Sequence, residues 1–322
     1  MKALKLFFKG LLYLLALLLV ALLGYALYAH IAWRDIPVAT LEARYGGEQL
    51  RSETVDGLPI RYRLDGALDS GRPLVVLIHN HFMDQGIWDQ WRQTLAPHFT
   101  VLSYDLSGHG LTGPDPSGRY TVARDVELLS GLLQQLDAQP AALVGSSLGG
   151  NIAFTYAAQH NLQALVLINS GGLKRPGSNA EREMPSWADW IFPLIPPVAL
   201  EKFLGWMIAD DAALTVDLQQ RFVDMWRRAG NRPAELARLR QYDSGNPDPL
   251  LAQISAPTLI LWGAANPQLP VALAEEFKTR LSTARSVQVI RYPGAGHVLP
   301  VERPVSSARD SLSFLLTHLK QP

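Results

Sequence analysis

The chain has 322 residues, 48% hydrophobic and 18% charged, enough to bury a large core and unlike a disordered or fibrous protein. Its 29 basic residues balance 29 acidic ones, so no global field draws it to nucleic acid or an anionic surface, and binding to DNA or RNA is not expected. Cysteine is absent, which excludes disulfides, zinc-thiolate sites and a thiol nucleophile.

The first thirty residues are a material of their own. Lys2, Lys5 and Lys9 precede an uncharged, leucine-rich run from Gly10 to about Ala29. About 20 helical residues cross the roughly 30 Å hydrocarbon layer. Residues 1–30 therefore read as a single-pass N-terminal membrane anchor. By the positive-inside rule the lysines stay cytoplasmic and the rest crosses, in a bacterium to the periplasmic face of the inner membrane. A cleaved signal peptide is the competing reading, since Gly24-Tyr25-Ala26 is a passable small-x-small site. The apolar run exceeds the usual signal core, which favours the uncleaved anchor. A buried core helix does not fit, because the segment has no polar face.

Residues 31–49, with Pro37 and Gly46-Gly47, read as a linker with some helix. Arg51–Val55 and Pro59–Leu64 alternate polar and apolar residues about Asp56-Gly57, which predicts an antiparallel hairpin. Pro73–Ile78 is a continuous apolar run of the kind found in a strand covered on both faces. Such runs recur at Thr100–Tyr104, Ala141–Val144, Ala164–Ile168, Pro257–Leu261 and Ser286–Arg291. Helical patterns lie between or after them at Gly86–Ala96, Thr121–Leu136, Leu148–His160, Val271–Leu281 and Pro304–Leu319. Alternating strand and helix predicts a doubly wound, mostly parallel eight-stranded α/β sheet, with ligands beyond the carboxyl ends of its strands. Between 172 and 252 the rhythm stops. The sequence turns helical and proline-punctuated, with Trp187, Trp190, Trp206 and Trp226.

The chemistry gathers at Leu143-Val144-Gly145-Ser146-Ser147-Leu148-Gly149-Gly150, an apolar strand turning sharply into a helix with Ser147 at the tip. A strained turn of this kind needs glycine two residues to either side, and Gly145 and Gly149 stand there. Ser147 is thus the candidate nucleophile; Ser146 does not fit the glycine spacing. A serine needs a base, and histidine is the natural one. The turn resembles the nucleophile elbow of the α/β-hydrolase superfamily, and further motifs match the same family in the same order from about Leu50 to the C-terminus.

The resemblance implies a serine hydrolase with no cofactor or metal, acting on a small apolar substrate. It makes residues 50–171 and 253–322 the two parts of the hydrolase core. Residues 172–252 become a helical cap inserted after the sixth strand; the aromatic residues there read equally as the core of a small domain. Tyr292-Pro293-Gly294-Ala295-Gly296-His297 resembles the catalytic histidine loop, so His297 is the implied base, and Glu302 is read as a local anchor. The backbone N–H of Leu148 and that of His81, in His79-Asn80-His81, are the implied oxyanion hole. Asn80 stands where the family usually has glycine, and asparagine tolerates positive φ. Trp88, nine residues after His79, matches the family. His79, His81 and Asp84 also admit a metal-cluster reading, disfavoured for lack of further ligands. Asp105 and His109 are expected to be structural. The third member of the triad departs from the family: the loop Gly263-Ala264-Ala265-Asn266 carries Asn266 in place of aspartate, and Asn169-Ser170, the other known location, has no carboxylate either. Asp243 or Asp248 is the conceivable surrogate. Two functions follow: a membrane-anchored esterase-like hydrolase working through Ser147, His297 and Asn266, or a catalytically degenerate relative that binds or scaffolds. Trp187 or Trp190 is expected to overhang the serine.

Overall fold

The computed structural model describes residues 2–173, 184–243 and 246–320. Eight strands form one sheet: β1 (Leu50–Val55), β2 (Leu58–Asp65), β3 (Leu74–Ile78), β4 (Thr100–Tyr104), β5 (Pro140–Ser146), β6 (Ala164–Ile168), β7 (Thr258–Gly263) and β8 (Val287–Tyr292). Their order is β1-β2-β4-β3-β5-β6-β7-β8. β2 runs antiparallel to β1 and β4, and all later pairs are parallel. The opening hairpin turns through Asp56 (φ 48°) and Gly57 (φ 80°), two successive left-handed residues whose twist matches that of the strands.

β3 to β7 are buried along their whole length because helices cover both faces. Alternate residues feed two apolar clusters. Val76, Leu102, Leu143, Leu165 and Ile260 pack on one side. Val75, Leu77, Val101, Val144, Val166 and Leu261 pack on the other.

Helix α1 (Lys2–Ala32) precedes the sheet, and from Leu4 it is long and apolar enough to cross a membrane. The core helices are α2 (Asp89–Leu95), α3 (Val122–Gln135) and α4 (Leu148–Ala157). The insert between β6 and β7 contains α5 (Pro197–Met207), α6 (Val216–Trp226) and α7 (Asn231–Gln241), and α8 (Ala272–Arg280) and α9 (Pro304–His318) complete the core. Residues 174–183 and 244–245 of the expected cap lie outside the described residues.

The stretch expected as a linker is stitched to the insert. Tyr25 Oη donates to the Leu194 carbonyl at 3.0 Å. Trp33 packs edge-on against Tyr25 and Tyr28. Ile36 N donates to the Arg227 carbonyl at 2.7 Å, and Ala229 N to the Ile36 carbonyl at 2.9 Å. The insert is in turn tied to the core by charge. Arg238 of α7, fully buried, donates to Asp125 of α3 at 2.6 and 3.1 Å and to the Ser107 carbonyl at 2.9 Å. Arg221 of α6 grips Asp84 at 2.9 and 3.0 Å.

Removing one member of a buried pair strands the other, at a cost of about 3–5 kcal/mol. Arg238→Ala is therefore expected to lower the unfolding free energy by about that amount, read by urea denaturation in detergent micelles. A change below about 1 kcal/mol would show that the pair does not hold the insert to the core.

Candidate active site

β5 ends at Ser146 and α4 begins at Leu148, which leaves Ser147 alone in the turn with φ 52° and ψ −111°. That conformation is strained for a residue with a side chain, and the surroundings hold it there. Ser147 N donates to the Ile168 carbonyl at 2.9 Å, while Gly150 N, Asn151 N and Gly171 N donate to the Ser147 carbonyl at 3.0, 3.2 and 2.9 Å. The flanking glycines answer to close contacts. A Cβ on Gly145 would lie 2.1 Å from the Gly149 carbonyl oxygen, and one on Gly149 would lie 2.2 Å from that of Ile78. The elbow is thus pressed against the end of β3.

His297 lies on the loop after β8. Its Nε2 is 3.0 Å from Ser147 Oγ, so the structure brings together the two residues that the sequence separates by 150 positions. Three groups set the loop. Glu302, buried, accepts from Gly296 N (2.7 Å), Val298 N (3.1 Å), Ala209 N (2.8 Å) and Asp210 N (3.2 Å), as its reading as an anchor requires. Asn169, after β6, donates to the carbonyls of Gly296 and His297 at 3.1 and 2.8 Å and accepts from Gly263 N at 2.9 Å. His297 N donates to the Met207 carbonyl of the insert at 2.8 Å. Asn169 enters the sequence reading only as a missing acid; the structure makes it the pin between three strand ends. Only its place after an apolar strand hinted at this.

The third position is occupied by an amide whose direction is fixed. Asn266 Oδ1 accepts from Gln268 N at 2.9 Å and Leu269 N at 3.0 Å. Its Nδ2 therefore faces His297 Nδ1, at 3.1 Å. An amide nitrogen only donates, so Nδ1 must carry the lone pair and the ring hydrogen sits on Nε2, pointing at the serine. Flipping the amide would set an NH₂ group against two backbone N–H donors. Of the two surrogate acids, Asp248 is held by Arg280 at 2.8 Å, and Asp243 is exposed.

Around the oxyanion region, the N–H groups of Leu148 and His81 have no hydrogen-bond partner among the described residues. The strain expected at Asn80 falls instead on Phe82, with φ 67°, while the Asn80 amide donates to the His81 carbonyl at 3.2 Å. His79 is structural: Nδ1 donates to the Asn80 carbonyl at 2.8 Å and Nε2 accepts from Leu106 N at 3.0 Å. With Asp84 held by Arg221, no cluster of His79, His81 and Asp84 forms. Asp105 accepts from Gln85 N and Leu111 N, both at 2.8 Å, and so ties two loops together. Burial, aided by neighbouring Asp84, raises its carboxyl above the ordinary range. Trp187 and Trp190 do not face inward; Trp190 is 80% exposed. From the insert it is Phe203 that meets the oxyanion loop, packing edge-on against Phe82 at 4.9 Å, and Met207 that meets the histidine loop.

With this geometry in view, residues 75–309 match the family described as the alpha/beta hydrolase family, and the chain belongs to it. It is 27% identical to monoacylglycerol lipase abhd6-B of Xenopus laevis over 257 residues, 76% of this chain and 75% of that protein. Among solved structures it is similar to a membrane phospholipase A described as a bacterial virulence factor, with TM-score 0.71, 27% identity and coverage of 95% of this chain and 98% of that one. The enol-lactonase of Burkholderia xenovorans LB400 shares the fold with TM-score 0.71 at 23% identity, over 83% of this chain and 100% of that one.

The loops after β3 and β4 carry a pH dependence. Burial holds the His79 imidazole below its ordinary range, and burial with Arg238 nearby holds His109 well below it. Both rings stay neutral in the fold, whereas the unfolded chain protonates them near pH 6.5. The unfolded state then binds more protons, so their contribution to stability is complete above about pH 6.5 and is lost as pH falls below it. Urea midpoints measured from pH 8 down to pH 5 should fall below about pH 6.5. The double variant His79→Gln with His109→Gln should flatten that slope, and an unchanged slope would remove both rings as its source.

Proposed function

We propose that this α/β-hydrolase is a membrane-anchored serine hydrolase, cleaving an ester or related acyl bond of a small apolar substrate with slow turnover. One observation carries the reading: Ser147, held at positive φ in the elbow, has its Oγ 3.0 Å from His297 Nε2. Ser147 Oγ attacks the acyl carbon, and its proton passes to Nε2. The oxyanion takes the N–H groups of Leu148 and His81. The leaving alcohol regains the proton, and water repeats the sequence on the acyl-enzyme.

Asn266 sets the rate. Attack needs the Nε2 lone pair, and the amide at Nδ1 favours the opposite tautomer and brings no charge to an imidazolium. In a serine protease the same loss of the acid lowers turnover by about four orders of magnitude. The same contact supports the second reading, a degenerate relative that keeps the pocket for binding or as a scaffold.

The substrate class rests on the insert, acting as the cap. Phe82, Phe203 and Met207 put apolar surface beside the oxyanion loop and the histidine loop. Similarity to a monoacylglycerol lipase and to a membrane phospholipase A supports an ester with an acyl chain. For the membrane, the contact of Tyr25 with Leu194 favours a retained α1 over a cleaved signal, because cleavage at Gly24-Tyr25-Ala26 would remove it. The catalytic domain is then periplasmic.

A serine-reactive fluorophosphonate should label the wild type and leave Ser147→Ala unlabelled; label retained by Ser147→Ala would refute the nucleophile. Asn266→Asp should raise hydrolysis of a short-chain p-nitrophenyl ester by at least about tenfold, or about 1.4 kcal/mol. An active wild type left unchanged by Asn266→Asp points to another acid, and inertness of both forms with ligand binding intact favours the binding protein. A reporter fused after Pro322 should be active in the periplasm. Cytoplasmic activity alone refutes that orientation, and a mature chain beginning near Leu27 refutes the anchor.

A further inference from the structure

Three side chains outside the proposed triad converge from three elements. His81 comes from the loop after β3, His109 from the loop after β4 and Glu235 from α7 of the insert. One ligand-type atom from each lies within 4.8 Å of the others. His81 Nε2 is 2.9 Å from both carboxylate oxygens of Glu235, but only Oε2 is met at a hydrogen-bond angle, and Oε1 has no hydrogen-bond partner among the described residues. His109 Nδ1 donates to the Ser107 carbonyl at 3.0 Å. Its Nε2 must then carry a lone pair; it lies 3.9 Å from Glu235 Oε2, too far to bond, and has no hydrogen-bond partner among the described residues.

Both His109 and Glu235 are at least nine-tenths buried, at 5% and 4% exposed. A buried carboxylate facing an imidazole lone pair is unfavourable unless positive charge lies between them. Arg238, one turn along α7 from Glu235, is directed to Asp125 and the Ser107 carbonyl. The spacing suits a metal ion. Donors about 2.0–2.2 Å from one ion and 90–110° apart stand roughly 3–3.6 Å from each other; here the two histidine–carboxylate separations are 2.9 and 3.9 Å, and all three atoms lie within 4.8 Å of one another, so small side-chain shifts close them on one ion.

We propose that His81, His109 and Glu235 form a binding site for one divalent first-row transition ion of the zinc class. Two imidazoles and a carboxylate are the donor set such ions prefer over magnesium or calcium. On binding, the hydrogen that His81 Nε2 presents to Glu235 leaves that nitrogen, so that the ring carries its hydrogen on Nδ1 and gives the Nε2 lone pair to the ion. The second-sphere contact is present already, since the Ser107 carbonyl orients His109 through Nδ1. The ion clamps α7 of the insert to the two core loops, and His81 is the residue whose backbone N–H is proposed for the oxyanion hole. Occupancy thus couples the seating of the insert to the catalytic loop.

The test uses the full-length, tag-free protein in detergent, stripped with a chelator and dialysed. Titration with Co²⁺, followed by visible absorption and calorimetry with Zn²⁺ as competitor, should give one equivalent bound and a raised thermal midpoint. Glu235→Gln, which keeps an acceptor for His81, and His109→Gln should each weaken Co²⁺ binding by at least about tenfold. No binding by the wild type, or equal binding by both variants, overturns the site. If a variant fails to fold, anomalous scattering from Zn²⁺-soaked wild-type crystals decides. A peak among these three side chains supports the site, and its absence there overturns it.

Discussion

Two backbone N–H groups set the direction of the hydrogen bonds that lead to the serine. Gln268 and Leu269 both donate to Asn266 Oδ1, so the other end of the amide is turned on His297 Nδ1. An aspartate in the same place would satisfy both demands, giving one oxygen to the backbone pair and the other to the ring. The asparagine satisfies the backbone and reverses the hydrogen bond at the ring, which sets the tautomer and thereby the direction of the bond to Ser147. The geometry of the pair is kept while its protonation is inverted.

That geometry rests on buried polar groups. Asn169 joins the ends of β6 and β7 to the carbonyls of Gly296 and His297, and Glu302 gathers four backbone N–H groups from the histidine loop and the insert. A group with all its partners rigidifies a loop that apolar packing alone leaves free to slide. The same economy attaches the insert, through Arg238 with Asp125 and Arg221 with Asp84. Position at the serine is thus set from both the sheet and the insert.

The amino-terminal helix shares in this construction. Trp33 packs against both Tyr25 and Tyr28, and Ile36 adds a bridge to Arg228 of the insert. A helix able to span a bilayer is thereby fixed against the segment around Leu194, and not left on a loose tether. Trp187 and Trp190, expected to overhang the serine, belong instead with Trp206 to the exposed face of the insert.

What the sequence determined by itself is what depends on local pattern. Uninterrupted apolar runs gave the buried strands to within a residue or two at most ends, because a strand covered on both faces has no polar position. Asp56-Gly57 gave the hairpin, since both residues must adopt positive φ. Gly145 and Gly149 gave the elbow, since no Cβ fits at either position. The identity of residue 266 as an amide was also plain. Its direction was not, because it follows from the N–H groups of Gln268 and Leu269, whose aim is set by the fold of the loop. Asn169 and the meeting of His81, His109 and Glu235 were hidden for the same reason. Their partners lie up to 154 positions away in sequence, and only the stacking of loops at the strand ends and the seating of α7 bring them together.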